Sequence, residues 1–167
     1  MADIKFGTPR PAPSPLFLRD EELKQGVDLL VFALRDLNGD ADALLKSQAL
    51  GRAHARALTM IARRPGLSVT DLLSLLRITK QSLNRVLGEL MEQGYVEQHP
   101  APSDGRKRLL RLSEKGRSFD EALWEAQRAR VAKAFREAGP EGVAGFRKVL
   151  SSLADGSRAA VRSGGAR

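Results

Sequence analysis

Thr79, Lys80, Gln81, Ser82, Asn84 and Arg85 stand together at the start of a segment whose apolar residues, Leu83, Val86, Leu87, Leu90 and Met91, recur at helical spacing. Thr79 fits the N-cap, because its side-chain oxygen can accept from the open N–H groups of the first turn. The apolar stripe must face inward, which turns the polar set outward. Gln81 and Asn84 carry amides that can pair with adenine edges, Lys80 and Arg85 can meet guanine or phosphate, and Ser82 can donate to a phosphate. Further along, Asp104-Gly105-Arg106-Lys107-Arg108 gathers three cations beside a turn. A narrow minor groove concentrates negative potential and attracts arginine, and Asp104 can hold Arg106 in one rotamer by a charge-assisted bond.

Periodicity and chain punctuation indicate what positions these groups. A helix is predicted over about 19–36 from Leu23, Val27, Leu30, Val31, Leu34 and Leu37, with Leu29 and Phe32 as a second apolar flank. Asn38-Gly39-Asp40 predicts a break before a short helical piece at about 41–49. The next helix, about 52–64, ends at Pro65-Gly66. Ser68 or Thr70 caps a third helix reaching about Leu76, and Ile78-Thr79 makes a tight connection to the fourth, at about 79–93, with Gly94 just past its end. Two helices joined in this way form a helix-turn-helix, whose second helix enters the major groove.

After Gly94 the period changes. A strand is expected at 95–99, turn chemistry at 100–105, and a second strand at 108–112 with Leu110 and Leu112 on one side and Arg111 on the other. This is a hairpin, or wing, at about 99–108. Ser113 opens a long helix to about Ala138, Gly139-Pro140 breaks it, and a last helix carries Val143, Phe146, Val149, Leu150 and Leu153. The expected fold is mainly α with a small β-hairpin wing: a winged helix-turn-helix at about 50–116, flanked by N- and C-terminal dimerisation helices at about 16–48 and 117–162. Residues 1–15, with Pro9, Pro11 and Pro13, read as a disordered arm, and 163–167 as a frayed tail.

Composition narrows the function. The chain has 167 residues and a formal charge of +8, of which +7 falls between Leu50 and Arg117. A basic middle between near-neutral flanks suits a nucleic-acid reader between packing segments. No cysteine is present, which excludes disulfides, thiolate metal sites and thiol redox sensing. With only His54 and His99, no metal site is expected, and no cofactor. No Ser/His/Asp set, phosphate-binding glycine loop or HExxH motif points to an enzyme. No apolar run approaches membrane-spanning length and no signal peptide is evident, so a cytoplasmic protein, nucleoid-associated when bound to DNA, is expected.

The run from Val69 to Gly116, above all Gly94-Tyr95-Val96-Glu97, Asp104-Gly105-Arg106 and Leu110-Arg111-Leu112-Ser113-Glu114-Lys115-Gly116, resembles the MarR family, whose wing reads D-x-R and then L-x-L-[ST]-x-x-G. Gly51-Arg-Ala-His-Ala-Arg-Ala-Leu58 and Leu76-Arg-Ile-Thr-Lys-Gln-Ser-Leu83 further resemble its PetP-like alphaproteobacterial branch. The resemblance implies a homodimer on double-stranded DNA, with the fourth helix in a major groove and the wing in the adjoining minor groove. Transferred residue by residue, the resemblance gives Thr79, Lys80, Gln81, Ser82, Asn84 and Arg85 as readers and Arg106, braced by Asp104, as the wing arginine; Ser68, Thr70, Lys107 and Arg108 complete the expected DNA contacts. It also implies a small-molecule effector in a crevice beside the dimer helices, for which Arg52, His54 and Phe32 are the candidates. Read from the residues alone, His54 is first a structural histidine and only second a ligand contact or pH-sensitive group. A non-sequence-specific architectural DNA-binding protein is the alternative function.

Overall fold

A computed structural model describes residues 15–101 and 104–154, the side chains of 104–107 excepted. The N-terminal arm expected from the sequence, Pro15 excepted, and the C-terminal tail lie outside the described residues. The chain divides into two units, one up to Asp36 and one from Leu37 onward. The first contains a 3-10 turn at Leu16–Leu18 and the opening turns of helix α1 (Asp20–Ser47). Asp20, Glu21 and Glu22 occupy the first turn of α1, where the helix dipole favours acids. Leu23, Val27, Leu29, Val31, Phe32 and Leu34 all remain exposed along this stretch.

The break expected at Asn38-Gly39-Asp40 does not occur, because α1 is one continuous helix. Tertiary contacts offset the poor helix propensity of those residues, which amounts to roughly 1 kcal/mol for glycine alone. Asp40 takes a two-pronged contact from Arg130 at 2.6 and 2.9 Å, Gln127 donates to the Leu37 carbonyl at 3.0 Å, and Ala41 and Leu45 are buried.

In the second unit the order continues α2 (Arg52–Arg63), β1 (Leu67–Ser68), α3 (Val69–Leu76), α4 (Lys80–Glu92), β2 (Val96–Ala101), β3 (Asp104–Leu112) and α5 (Glu114–Leu153). The strands form one antiparallel sheet in the order β1-β3-β2. Strand β1 is an addition to the expected hairpin. Leu67 and Ser68 pair with Leu110 and Leu109, a link between distant segments that local periodicity does not reveal.

Both hairpin strands run further toward the tip than expected, to Ala101 and from Asp104. Pro100 is tolerated within β2 because that strand is an edge, and a bulge follows it. Leu110 and Leu112 are buried and Arg111 exposed, as alternation required. Helix α5 carries its expected break as a kink, with Gly139 at φ 67°, ψ 175° before Pro140.

Leu58, Ile61, Leu72, Leu83, Val86, Leu87, Leu90, Tyr95 and Leu110 form the centre of the core. Gly116 permits the closest approach in it. A Cβ there would lie 2.1 Å from the Tyr95 carbonyl oxygen and 3.3 Å from the Leu112 Cβ. The final glycine of L-x-L-[ST]-x-x-G is therefore a packing requirement where α5 meets the end of the sheet. Gly116→Ala should destabilise the fold by about 1–3 kcal/mol through overpacking. Gly145→Ala, in open helix with nothing near its would-be Cβ, should instead gain roughly 0.5–1 kcal/mol from helix propensity. Urea midpoints that move together in the two variants would refute the assignment.

Candidate nucleic-acid interface

The helix-turn-helix is built by two caps and one turn. Ser68 caps α3 reciprocally: its hydroxyl oxygen accepts from the Asp71 N–H at 3.1 Å, and the Asp71 carboxylate accepts from the Ser68 N–H at 3.2 Å. Arg77, in the left-handed region at φ 50°, ends α3 and turns the chain. Thr79 then caps α4, accepting from the Ser82 N–H at 3.2 Å. An N-cap of this kind contributes about 1 kcal/mol. The Thr79 hydroxyl donates to the Ser82 hydroxyl oxygen at 2.9 Å, so the Ser82 proton can be donated outward.

Once α4 starts at Lys80, its period sorts the side chains. Leu83, Val86, Leu87 and Leu90 are buried, while Lys80, Gln81, Ser82, Asn84 and Arg85 are exposed. The expected recognition residues therefore form one polar face. Thr70 and Thr79 are exposed at the starts of α3 and α4. Ser68, also among the expected contacts, is 6% exposed, and its hydroxyl is engaged in the cap. Arg108 and Arg111 are exposed on β3, where Arg111 pairs across the ladder with Glu97. The side chains of Asp104, Arg106 and Lys107 lie outside the described residues, as does the expected Asp104–Arg106 contact.

The residues expected at an effector crevice have other partners in the structure. Arg52 binds Asp42 through two nitrogens, at 3.1 and 2.7 Å. His54 is buried, accepts from the Gly51 N–H at Nδ1 (3.0 Å), and lies 2.6 Å from Glu89 through Nε2. Phe32, in the first unit, is exposed, with the Arg35 guanidinium 5.1 Å from its ring centre. A cleft of about 680 Å³ lies elsewhere, among α2, β3 and α5, with Arg63, Arg111, Arg117, Asp120, Glu121 and Trp124 in its lining.

Glu89 escaped the sequence reading. Its i,i+4 spacing from Arg85 was visible, and the two are 3.0 Å apart. An exposed pair of that kind stabilises a helix by only about 0.3–0.5 kcal/mol. The link to His54 spans 35 positions and required the fold.

This architecture matches known proteins. The model of the MarR family matches residues 50–107. Over 140 residues the chain is 49% identical to the HTH-type transcriptional regulator PetP of Rhodobacter capsulatus, covering 84% of each protein. Among solved structures, it is similar to Streptococcus pneumoniae FabT in complex with DNA (19% identity, TM-score 0.68, 78% of this chain and 94% of that one). It is also similar to a mutant MarR from E. coli complexed with operator DNA (21% identity, TM-score 0.61, 84% and 99%). The chain belongs to the MarR family of winged helix-turn-helix transcriptional regulators. Among the described residues no helix is long and apolar enough to cross a membrane, and no group of three or more His, Asp or Glu is placed to hold a metal ion.

Two carboxylates here tie stability to pH. A hydrogen bond from Arg52 holds Asp42 below the usual carboxylate range, against partial desolvation. Glu89 is lowered first by its hydrogen bond to His54 and also by Arg85, with desolvation opposing. A carboxylate with a depressed folded pKa contributes stability above its ordinary range and loses it as protons bind. The loss should develop as pH falls from about 5 toward about 2. The Asp42→Asn, Glu89→Gln double variant should show a shallower fall in Tm over that interval than the parent. Parallel acid limbs would show that these pairs carry no such linkage.

Proposed function

We propose that this MarR-family protein is a homodimeric, sequence-specific regulator that sets α4 in the major groove of duplex DNA and the β2–β3 wing in the adjoining minor groove. The single observation that carries this reading is the exposed face Lys80, Gln81, Ser82, Asn84 and Arg85, standing on a buried stripe and started by the Thr79 cap. A helix presented in this way offers amide and cationic groups to base edges from its first turns. Arg63, Arg108 and Arg111, all exposed, suit phosphate contacts that fix register, joined in this reading by Arg64, Arg106 and Lys107. The named relatives bound to DNA support the same use of the fold.

The dimer reading draws on apolar surface. Leu23, Val27, Val31 and Leu34 of α1, and Phe146, Val149 and Leu153 of α5, are exposed in the single chain. Burying such a side chain gains about 1.5–3 kcal/mol, and a second copy supplies a matching surface. Twofold symmetry then calls for a pseudo-palindromic site with half-sites about one helical turn, roughly 10 bp, apart. The protein acts by binding rather than catalysis, in the cytoplasm where the chromosome lies. A small-molecule effector belongs to this reading, and the cleft lined by Arg117, Trp124, Asp120 and Glu121 as well as Arg63 and Arg111 is its candidate place. It would regulate only by binding one spacing of the two recognition helices more tightly than another.

Selection of bound duplexes from a random pool, followed by affinity against scrambled DNA across a salt series, tests the proposal. A palindromic winner bound far more tightly than scrambled DNA is expected. Equal binding of all duplexes with steep salt dependence would replace it with an architectural role. On the selected duplex Gln81→Ala should cost about 1–3 kcal/mol, with little loss on scrambled DNA. Arg106→Ala should weaken all duplexes or relax preference at the minor-groove flank. Unchanged affinity and salt slope would remove the wing from the interface.

A further inference from the structure

We propose that His54 is a positioning residue for DNA recognition: through Glu89 it fixes the guanidinium of Arg85 on the exposed face of α4. The proposal rests on the reading of α4 as the recognition helix. Three contacts in series carry it. The Gly51 N–H donates to His54 Nδ1 at 3.0 Å. With Nδ1 engaged as an acceptor, the ring proton sits on Nε2, which points at Glu89 Oε2 from 2.6 Å. The other carboxylate oxygen, Oε1, accepts from Arg85 Nη1 at 3.0 Å.

Each link constrains the next. His54 is 6% exposed and held at both ring nitrogens, so it cannot swing away. Glu89 has each oxygen taken by a different helix, which fixes the rotation of its carboxylate. Arg85 is an exposed side chain on the reading face, and its helix partner is thereby a fixed rather than a mobile anion. Arginine followed by glutamate at i,i+4 is also the weaker order for a helical pair, so on a bare helix the contact would confine Arg85 poorly. The histidine on α2 supplies the missing anchor. A guanidinium restrained in this way presents its fork to a base edge with less freedom to lose.

The test uses the duplex selected by the parent protein and its set of single base-pair substitutions. Arg85→Ala identifies the base pair that Arg85 reads, where preference should fall about 5- to 100-fold. Glu89→Gln keeps the shape but not the charge, and should lower preference at that same base pair by at least about threefold. In the Arg85→Ala background, Glu89→Gln should add nothing there. Removing a carboxylate near phosphates also raises affinity for every duplex alike, which cancels in the ratio. His54→Met, which loses both contacts, should reproduce the loss. His54→Gln should restore most of it, since glutamine at this helix position can still accept from Gly51 and donate to Glu89.

Additive effects of Glu89→Gln and Arg85→Ala, or a His54→Met variant of native Tm with unchanged preference, would overturn the proposal. Loss of affinity from Arg85→Ala that is equal across all substituted duplexes would overturn it while leaving the selected site intact. If the parent selects no duplex, the recognition-helix reading fails and the proposal with it.

Discussion

The carbonyl and ring of Tyr95 form the junction on which the second unit depends. The Ser113 N–H donates to that carbonyl at 3.0 Å, and the Ser113 hydroxyl donates to Gly94 O at 2.6 Å while capping α5 at the Gly116 N–H. Lys115 reaches the Gln93 carbonyl at 2.8 Å, with its ammonium 4.2 Å from the centre of the Tyr95 ring. The ring lies 5.2 Å from Phe119, and the phenol donates to Gln48 at 2.9 Å. One buried side chain and its carbonyl thus join the end of α1, the end of α4, both hairpin strands and the start of α5. Only a glycine at 116 lets the helix come this close. The wing motif and the long helix after it form one construction, in which the serine caps and the glycine makes room.

That junction fixes the far end of α4, and the Thr79 cap fixes its near end. Between them the helix has little choice of rotation, because Leu83, Val86, Leu87 and Leu90 must all enter the core. The polar face follows as a consequence. Strand β3 is held on both sides, by β1 and β2, so the hairpin leaves the sheet along a set direction and carries Arg108 and Arg111 with it. The reading helix and the wing are placed by the same core, and neither could rotate without exposing leucine.

Local chemistry made much of this legible in advance. Caps at Ser68, Thr79 and Ser113, the period of α4 and the alternation at Leu110-Arg111-Leu112 all express rules that act within a few residues. What escaped was nonlocal. Strand β1 exists only because β3 lies beside it. Helix α1 passes through Asn38-Gly39-Asp40 because Arg130 and Gln127, about ninety positions away, hold Asp40 and Leu37. Ser68 is legible as the α3 cap from its residue type, but its burial depends on the packing around the turn and is not. His54 reads from its residue type first as a structural histidine, and it is buried with both ring nitrogens partnered, but the sequence does not show the carboxylate that meets it.

The burial of that ring bears on how the reading face is made. Withdrawing a polar side chain from water costs free energy unless its hydrogen bonds are replaced. Both nitrogens of His54 are paired, so the fold tolerates it, but leucine would fill such a site with less demand on geometry. An imidazole there, unlike leucine, gives its hydrogen bonds a fixed direction. Here it leads outward, from the α2 N-cap through a carboxylate to a cation on the exposed helix face. Long side chains lose up to about 2 kcal/mol of rotamer freedom when they are ordered at an interface. A face that carries Lys80, Gln81 and Arg85 faces that cost several times over. Restraining one of them from beneath, by a group already fixed in the core, lowers it without adding a contact to DNA. On this argument the core of the winged helix supports the reading helix and also helps to set the conformation in which one of its side chains is read out.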